Sequence, residues 1–469
     1  MTRRGLAYLY LILMIVSSLL SPIKVRATTI ENKTSGDWPT GPSVYAEGAI
    51  LMEASTGLIL YEKNISNSYY PASITKILTA LVALENSTMG EIVTFSRDAV
   101  FKVDLDSSRI GIDVGEQLTM QQSIYAVLLE SANEVSYAVA EHVGGTIENF
   151  SRMMNDKAKS LGANNSNFVN PHGLPEENHY TTPYDMALIT REAMKNESFR
   201  KIFSTRTYQI PPTNIQEETR YLRNHHYFIL KQGYLYDDCI GGKTGYTNAA
   251  RYTLVSVAKK GDLELVAVVM KDDSREHQYT DTQKLFDYGF DNFSIYPINE
   301  LDTGSTEESP LFTKFNPLLS EDASPIATDE NGYLVLPNGA SFTDANKDIS
   351  FILSSEIDDT NNIIGTISYS YMGKYVGGAD IIYNKADTTT LLTKELEVKN
   401  PTINPNDTTV PKSTGKLYPI ILGVIAGIFL VLIALYYLFI ERPRLKRRKA
   451  YYNKRANRKS HHGDDFLDL

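Results

Sequence analysis

The segment 417–440 constrains this chain most, because its 24 consecutive residues carry no charge. As a helix rising 1.5 Å per residue it would be about 36 Å long, which exceeds the roughly 30 Å hydrocarbon core of a bilayer. A run of lysines and arginines follows between Arg442 and Lys459, and such basic flanks mark the cytoplasmic side of a span. The sequence therefore predicts a C-terminal transmembrane helix at 417–440 and a basic cytoplasmic tail at 441–469.

The N-terminus has the pattern of a secretory signal peptide. Arg3 and Arg4 precede an apolar run over 6–20, and a short Val-Arg-Ala sequence ends at Ala27. An uncleaved anchor is the alternative, but a run of about 15 residues is shorter than the roughly 20 that a spanning helix needs. We therefore expect residues 1–27 to be removed after export.

The charge distribution argues against a nucleic-acid partner. The chain has a net charge of −10, to which residues 1–27 contribute +4 and residues 441–469 contribute +6, so the stretch between them carries −20. An acidic exported part does not attract polyanions. The basic tail adjoins the predicted span, so membrane topology explains it better than nucleic-acid binding does.

Cysteine usage indicates the compartment. Cys239 is the only cysteine, and an exported protein without disulfides fits a bacterial cell surface better than a eukaryotic secretory route. Cys239 lies among apolar residues of a predicted strand, where packing is a commoner role than nucleophilic catalysis. We expect a single-pass protein of the bacterial cell membrane, with its folded part on the extracytoplasmic face.

A chain of 469 residues exceeds one ordinary domain, so more than one folded unit is expected. Strand-like and helical stretches interleave over 40–296, where two strands joined by the short turn 259–262 predict an antiparallel hairpin. The expected fold class is α+β, a largely antiparallel sheet covered by helices. Short strands over 297–396 predict a small all-β stalk domain, and the Pro-, Thr- and Asn-rich stretch 397–416 predicts an extracellular tether.

The first of three candidate catalytic motifs is the Ser-x-x-Lys sequence of Ser73 and Lys76. The following apolar residues predict a helix over 73–84, on which residues three apart share a face, so the two side-chain ends can meet. A serine hydroxyl is a weak nucleophile at neutral pH, and a neutral lysine can accept its proton without a histidine. Alone, this spacing is more often a helix start with a solvent-facing lysine.

Two further motifs follow along the chain. Ser131 and Asn133 lie between two predicted helices and offer a hydroxyl and an amide, although both residue types are also common N-caps. Lys243, Thr244 and Gly245 enter the predicted hairpin. They supply a cation, a hydroxyl and a glycine that lets a substrate backbone approach the strand, although a simple turn into an edge strand has similar residues.

In this order, the three motifs resemble those of the low-molecular-weight penicillin-binding proteins, which are serine-type D-Ala-D-Ala carboxypeptidases. The resemblance extends over nearly all of 46–293 and implies a fold like that of the β-lactamases and transpeptidases. Further matching stretches are Ala54–Gly57 with Leu60–Glu62, Pro71–Ala80, Gly115 with Glu116, Phe150 with Met154 and Asn155, Asn170–Leu174, and Gly245–Thr247.

The resemblance implies a catalytic role for four residues. Ser73 would attack the carbonyl between the two terminal D-alanines and become acylated, with Lys76 as its general base. Ser131 and Asn133 would relay protons to the leaving amine and hold the peptide. Water would then release the acyl group.

The same resemblance implies four substrate-binding residues, Lys243, Thr244, Gly245 and Tyr246. Lys243 and Thr244 would bind the terminal carboxylate, and the backbone N–H groups of Ser73 and Tyr246 would form the oxyanion hole. The implied partners are a peptidoglycan stem peptide ending in D-Ala-D-Ala and the β-lactam antibiotics, and no cofactor is implied.

A lysine base must be largely uncharged at neutral pH. If the Lys243 ammonium lay about 4 Å from that of Lys76, their repulsion at an effective dielectric constant of about 20 would be about 4 kcal/mol. Such a repulsion brings the pKa of a lysine from about 10.4 to near 7. We therefore expect the two lysines to be neighbours and the pair to set the base.

The chain departs from the family pattern beside its motifs. Ala132, Glu134 and Val135 stand where Gly, Asp and Ala are usual, and Arg251 stands where Gly is usual. The usual Asn-x-Asn is here 224–226, Asn-His-His. No catalytic group is lost, so these changes bear on rate and substrate preference more than on class.

Several alternatives stay open from the sequence. A D,D-endopeptidase or weak transpeptidase would use the same residues, and a slow peptidoglycan-binding scaffold would fit the altered second motif. A β-lactamase shares the motifs but is not expected to carry a β-domain, a tether and a span. The histidine pairs at 225–226 and 461–462 lack a third ligand at suitable spacing, so no metal site is expected.

Overall fold

The computed structural model describes residues 38–301, 326–351 and 362–383. The predicted signal peptide at 1–27, tether at 397–416, transmembrane helix at 417–440 and cytoplasmic tail at 441–469 lie outside these residues. Within the described ranges, no helix combines the length and the apolar character needed to cross a membrane.

Helices and strands alternate along the first described range, and strands dominate the other two. The helices are α1 (Lys76–Asn86), α2 (Arg97–Phe101), α3 (Met120–Leu129), α4 (Asn133–Gly144), α5 (Ile147–Ser160), α6 (Pro183–Lys195), α7 (Glu197–Phe203), α8 (Tyr227–Leu230), α9 (Arg275–Asn292) and α10 (Ile298–Leu301). The strands are β1 (Gly48–Glu53), β2 (Ile59–Lys63), β3 (Ile92–Thr94), β4 (Gln117–Thr119), β5 (Thr207–Ile210), β6 (Arg220–Arg223), β7 (Cys239–Thr247), β8 (Arg251–Lys260), β9 (Leu263–Asp272), β10 (Phe293–Pro297), β11 (Ile326–Thr328), β12 (Tyr333–Pro337), β13 (Asn346–Phe351), β14 (Ile363–Tyr371) and β15 (Lys374–Tyr383).

Five strands form a central sheet in the order β2-β1-β9-β8-β7, and all neighbouring strands are antiparallel. β8 and β9 form the predicted hairpin, in which Lys260 pairs with Leu263 across the turn. The predicted antiparallel sheet covered by helices is thus confirmed. Within the described ranges β7 pairs only with β8, so its other edge is free to face a cleft.

Both faces of the central sheet are buried. Side chains alternate between the two faces along each strand, so each strand contributes residues to both cores. In β1, Ile50 and Met52 pack against the layer that contains α1, α3 and α4. Ala49 and Leu51 point to the opposite face, where they join the core formed with α9 and the second sheet. Packing on both faces gives the edge strand β7 a rigid support.

A second antiparallel sheet follows α9. Its strands run in the order β10-β12-β15-β14-β13, with β11 paired to β15. β10 begins at Phe293, directly after the last residue of α9. Trp38 packs on Phe293 with their ring centroids 5.3 Å apart, and the Lys374 ammonium lies 4.7 Å from the centre of the Trp38 indole.

Candidate active site

Ser73 lies in a short 3₁₀ helix, Ala72–Thr75, and α1 begins only at Lys76. The predicted continuous helix over 73–84 is therefore wrong at its start. The reason is tertiary: Ala72 is held at a φ of +52°, a region that alanine rarely adopts, and Thr253 Oγ1 of β8 donates to the Pro71 carbonyl at 2.9 Å. We call 71–75 the nucleophile turn.

Lys76 is completely buried beneath this turn. Its Nζ lies 3.1 Å from Ser73 Oγ, 2.5 Å from Asn133 Oδ1 and 2.7 Å from the His172 carbonyl oxygen. A neutral amine has two N–H donors and one lone pair. Because the amide and carbonyl oxygens can only accept, they take the two N–H groups, and the lone pair is left facing the Ser73 hydroxyl.

The pKa of Lys76 is held well below its usual value, first by burial and second by the charge of Lys243, while Glu134 acts in the opposite direction. The sequence alone predicted that the lysine pair causes this shift. Repulsion by Lys243 is present, but burial is the larger cause, since an ammonium without water loses its hydration.

The loop 170–173 fixes the nucleophile turn from the other side. Thr79 Oγ1 donates to the Pro171 carbonyl at 2.6 Å. Gly173 has a φ of +86°, and a Cβ placed there would lie 1.9 Å from the Ala72 carbonyl oxygen. His172 contributes its carbonyl group to Lys76, a positioning role that its place in the matching Asn-Pro-His-Gly stretch did not reveal.

The second motif lies between α3 and α4. Ser131 has a φ of +60°, and its Oγ accepts a hydrogen bond from Lys243 Nζ at 3.0 Å. The N-cap residue of α4 is Ala132, which makes no side-chain cap, so neither Ser131 nor Asn133 has the simple capping role that was the alternative. The Asn133 side chain instead contacts Lys76.

The three unusual residues of this motif lie below the cleft. Ala132, Glu134 and Val135 are all completely buried, and none of them lines the cavity. Glu134 Oε1 accepts the Ile110 backbone N–H at 2.7 Å, and the Asn133 N–H donates to the Ser108 carbonyl at 2.9 Å. Glu134 therefore helps to hold the loop 108–111, whose Ser108 lines the cleft, and the unusual residues themselves do not narrow the cleft.

The third motif lies on the edge strand β7. Lys243 is buried, and burial lowers its pKa to about 7, with Glu130 acting in the opposite direction. Gly245 passes so close to its neighbours that a Cβ there would lie 2.4 Å from Thr253 Oγ1 and 2.9 Å from the Ser73 backbone nitrogen. Glycine at this position lets β7 lie directly against the nucleophile turn.

A cleft of about 750 Å³ opens over the three motifs. Of the predicted site residues, Ser73, Ser131, Thr244, Gly245 and Tyr246 line it, whereas Lys76, Asn133 and Lys243 are buried beside these residues. Much of the remaining lining of the cleft was not predicted, because it comes from separate segments, of which only 224–226 had been compared with a family motif. Its members include Arg223, His225, Tyr227, Lys231, Arg275 and Tyr279.

Other candidate chemistry lies outside this cleft. Burial raises the pKa of the half-buried Cys239 thiol to about 12, which disfavours a nucleophilic thiolate. Among the described residues, Asp272, Asp273 and His277 could offer ligand atoms within 4.8 Å of one another. Asp273 Oδ1 already bonds His277 Nδ1 at 2.5 Å, and none of the three lines the cleft.

Known proteins with similar sequences are named as carboxypeptidases. The D-alanyl-D-alanine carboxypeptidase DacF of Bacillus subtilis is 35% identical over 255 residues, which are 54% of this chain and 64% of that protein. The chain thus spans just under two thirds of DacF. The D-alanyl-D-alanine carboxypeptidase DacA of Haemophilus influenzae is 27% identical over 383 residues, which are 78% of this chain and 91% of that protein.

Solved structures agree with this fold. The Streptomyces K15 DD-transpeptidase is 29% identical, with a TM-score of 0.50, and the match covers 54% of this chain and 100% of that one. Penicillin-binding protein 5 from Haemophilus influenzae has a TM-score of 0.58 at 24% identity, covering 74% of this chain and 98% of that one, which supports the fold alone. The family model described as D-alanyl-D-alanine carboxypeptidase matches residues 35–274, about half of the chain, and the chain therefore belongs to this family of serine peptidases.

Proposed function

We propose that this protein is a serine-type D-Ala-D-Ala carboxypeptidase, which removes the terminal D-alanine from peptidoglycan stem peptides through an acyl-enzyme on Ser73. β-Lactams would acylate the same hydroxyl. The observation that carries the proposal is the donor pattern around Lys76: two acceptors occupy its N–H groups, and Ser73 Oγ lies 3.1 Å from its Nζ. This arrangement suits a neutral base beside a serine nucleophile.

In the acylation step, Lys76 takes the Ser73 proton as Oγ bonds to the carbonyl carbon between the two D-alanines. The carbonyl π electrons move to its oxygen, and the resulting oxyanion is held by the backbone N–H groups of Ser73 and Tyr246. Collapse of the tetrahedral intermediate breaks the C–N bond. The leaving amine takes a proton that originates on Lys76 and passes by way of Ser131.

Substrate orientation follows from the third motif. The terminal carboxylate binds directly to Thr244. Lys243 is buried and its Nζ already contacts Ser131 Oγ at 3.0 Å, so it attracts the carboxylate through its charge. The substrate backbone lies along the free edge of β7, which Gly245 leaves open. Deacylation repeats acylation with water as the nucleophile, so Ser73 is regenerated and the shortened peptide leaves.

The test uses the full chain in detergent. Incubation with a pentapeptide ending in D-Ala-D-Ala should release one equivalent of D-alanine per peptide, and fluorescent penicillin should label Ser73 covalently. Ser73→Ala should abolish both signals while the melting temperature changes little, since the hydroxyl is not part of the core. D-Alanine release by Ser73→Ala equal to that of the wild type would overturn the assignment.

The same assay separates the alternatives. A slow peptidoglycan-binding scaffold would bind the peptide and penicillin yet release little D-alanine. A D,D-endopeptidase would cleave a cross-linked dimer faster than the pentapeptide. A β-lactamase would hydrolyse its penicilloyl-enzyme within seconds, whereas a carboxypeptidase is expected to hold it longer.

We also propose the predicted topology. A cleaved signal peptide at 1–27, a catalytic domain at 40–296, a β-domain at 297–396 acting as a stalk, a tether at 397–416 and a span at 417–440 would hold the active site on the outer face of a bacterial cell membrane. The support is the sequence pattern of uncharged and basic segments. Protease accessibility of the folded part in intact spheroplasts, with the tail protected, would test it.

A further inference from the structure

One wall of the cleft carries positive charge, although the chain is acidic overall. Arg223, Lys231 and Arg275 line it, whereas residues 28–440 together carry −20. In the described part of the chain, none of these three side chains forms an ion pair with a carboxylate, although eleven pairs join other residues, three of them through a histidine. Unpaired cations concentrated in one cleft indicate an anionic ligand.

Aromatic contacts hold Lys231 at this wall. Its ammonium lies 4.5 Å from the ring centre of Tyr227 and 4.8 Å from that of Tyr234. Tyr227 is itself stacked on Tyr279 with 5.2 Å between ring centroids, and Arg275 Nη1 donates to the Tyr227 hydroxyl at 3.2 Å. Cation–π contacts of this kind order the side chain without neutralising its charge.

Glu130, the residue before Ser131, already has partners for both of its carboxylate oxygens. Glu130 Oε2 lies 3.1 Å from His225 Nε2, and Glu130 Oε1 accepts the Arg223 backbone N–H at 2.6 Å. Both oxygens of Glu130 therefore contact groups other than Lys231. The charge at the wall is available to a group that enters the cleft.

We propose that Lys231 is a specificity-determining residue, which binds a second carboxylate of the substrate beyond the terminal one assigned to Lys243 and Thr244. This inference rests on the proposed carboxypeptidase function and names its substrate class: a peptide with a free carboxylate on an internal acidic residue is favoured over the same peptide with that group amidated. A cross-linked peptide that retains the free carboxylate belongs to the same class.

The solvent exposure of Lys231 sets the expected size of the preference for the free carboxylate. Lys231 is exposed, and ion pairs at exposed sites change an equilibrium by roughly two- to fivefold. Added salt should reduce the preference, because such pairs are screened at high ionic strength.

The experiment compares two pentapeptides that end in D-Ala-D-Ala and differ only in a carboxylate or a carboxamide on the internal acidic residue. D-Alanine release by the full chain gives kcat/KM for each. We expect a carboxylate-to-carboxamide ratio of roughly two to five, which falls to about one in Lys231→Gln and below one in Lys231→Glu. Lys159→Gln, which removes an exposed charge on α5 away from the cleft, should keep the wild-type ratio.

Each outcome decides between the two proposals. A wild-type ratio of one, or a ratio that Lys231→Gln leaves unchanged, overturns the role of Lys231 while continued D-alanine release supports the carboxypeptidase. Absence of D-alanine release from both peptides would overturn the proposed function itself. An unchanged melting temperature shows that each variant is folded, and Lys231→Arg should keep the wild-type ratio if the charge is what matters.

Discussion

The Nζ of Lys76 lies 3.1 Å from the Oγ of Ser73, although the two residues belong to different helix types. The 3₁₀ helix that carries Ser73 ends where α1 begins, so the nucleophile is displaced from the α-helical path while the base stays in the helix. The position of the hydroxyl therefore depends on the residues that pack against the nucleophile turn, Gly173 and Thr253 among them.

Replacement of Lys76 by methionine keeps most of the buried side-chain volume and removes the base. We expect the rate of acylation by fluorescent penicillin to fall by roughly 10²- to 10⁴-fold. The Asn133 and His172 oxygens also lose their donor, at a cost of roughly 1–3 kcal/mol each in the free energy of unfolding. Lys259→Met, at an exposed position of β8, is the control. A variant at position 76 that retained a tenth of the wild-type rate would exclude Lys76 as the base.

Replacement of Lys243 by glutamine removes a positive charge that lowers the pKa of Lys76. The acid limb of the acylation rate, which follows loss of the Lys76 proton, should therefore move to higher pH. Burial of Lys76 persists, so its pKa should stay below the ordinary lysine value. The measurement is the rate of penicillin labelling between pH 5 and pH 10, and Lys259→Gln is the control. An unchanged acid limb would mean that the two lysines are not electrostatically coupled.

Replacement of Gly173 by alanine should displace the nucleophile turn, because its Cβ would lie 1.9 Å from the Ala72 carbonyl oxygen. We expect a loss of at least about tenfold in acylation rate together with about 1–3 kcal/mol of backbone strain. Gly261→Ala is a matched control, since Gly261 also has a positive φ of +61° but no atom within 4 Å of the added methyl. Equal effects of the two substitutions on acylation would contradict a positioning role for this loop.

Replacement of Asp272 by asparagine should change how stability depends on pH. Burial, followed by the charge of Asp281, raises the pKa of Asp272 from 3.8 to about 7. Between these values the folded state keeps a proton that the unfolded state releases, so stability is full below about pH 4 and falls as the pH rises to about 7. The asparagine variant lacks this loss and should melt a few degrees higher than the wild type at pH 8.

Thermal unfolding at pH 4.5 and pH 8 measures this difference. Asp262→Asn, in the exposed turn between β8 and β9, should leave the wild-type pH dependence intact. If Asp272→Asn lost as much stability between the two pH values as the wild type, the carboxyl would not be the group responsible.

Local patterns determined a large part of the fold. The hairpin of β8 and β9 was predicted from two apolar strands and a four-residue turn at 259–262. The hairpin is confirmed, but Lys260 pairs with Leu263, so the turn is two residues long. The pattern of apolar residues predicts helices over 121–130, 134–143, 147–161 and 183–194, and α3, α4, α5 and α6 begin and end within one residue of these limits. These elements are set by interactions between residues close in sequence, which a pattern of apolar positions records.

Backbone conformations that are imposed by contacts distant in sequence could not be predicted from local sequence patterns. Ala72 and Ser131 both adopt positive φ, which neither residue type prefers. At Ala72, the contacts that impose it come from Gly173 and Thr253, about 100 and 180 positions further along the chain. The predicted helix at 73–84 was wrong at its start for this reason.

The sequence by itself determined the family and the three motifs, because chemistry that needs a particular residue type leaves that residue in the chain. Only the tertiary structure decided that burial is the main cause of the lowered pKa of Lys76, and that Lys231 lines the cleft without a carboxylate partner. Burial and unpaired charge depend on which atoms surround a group in three dimensions, and segments separated by many residues supply those atoms.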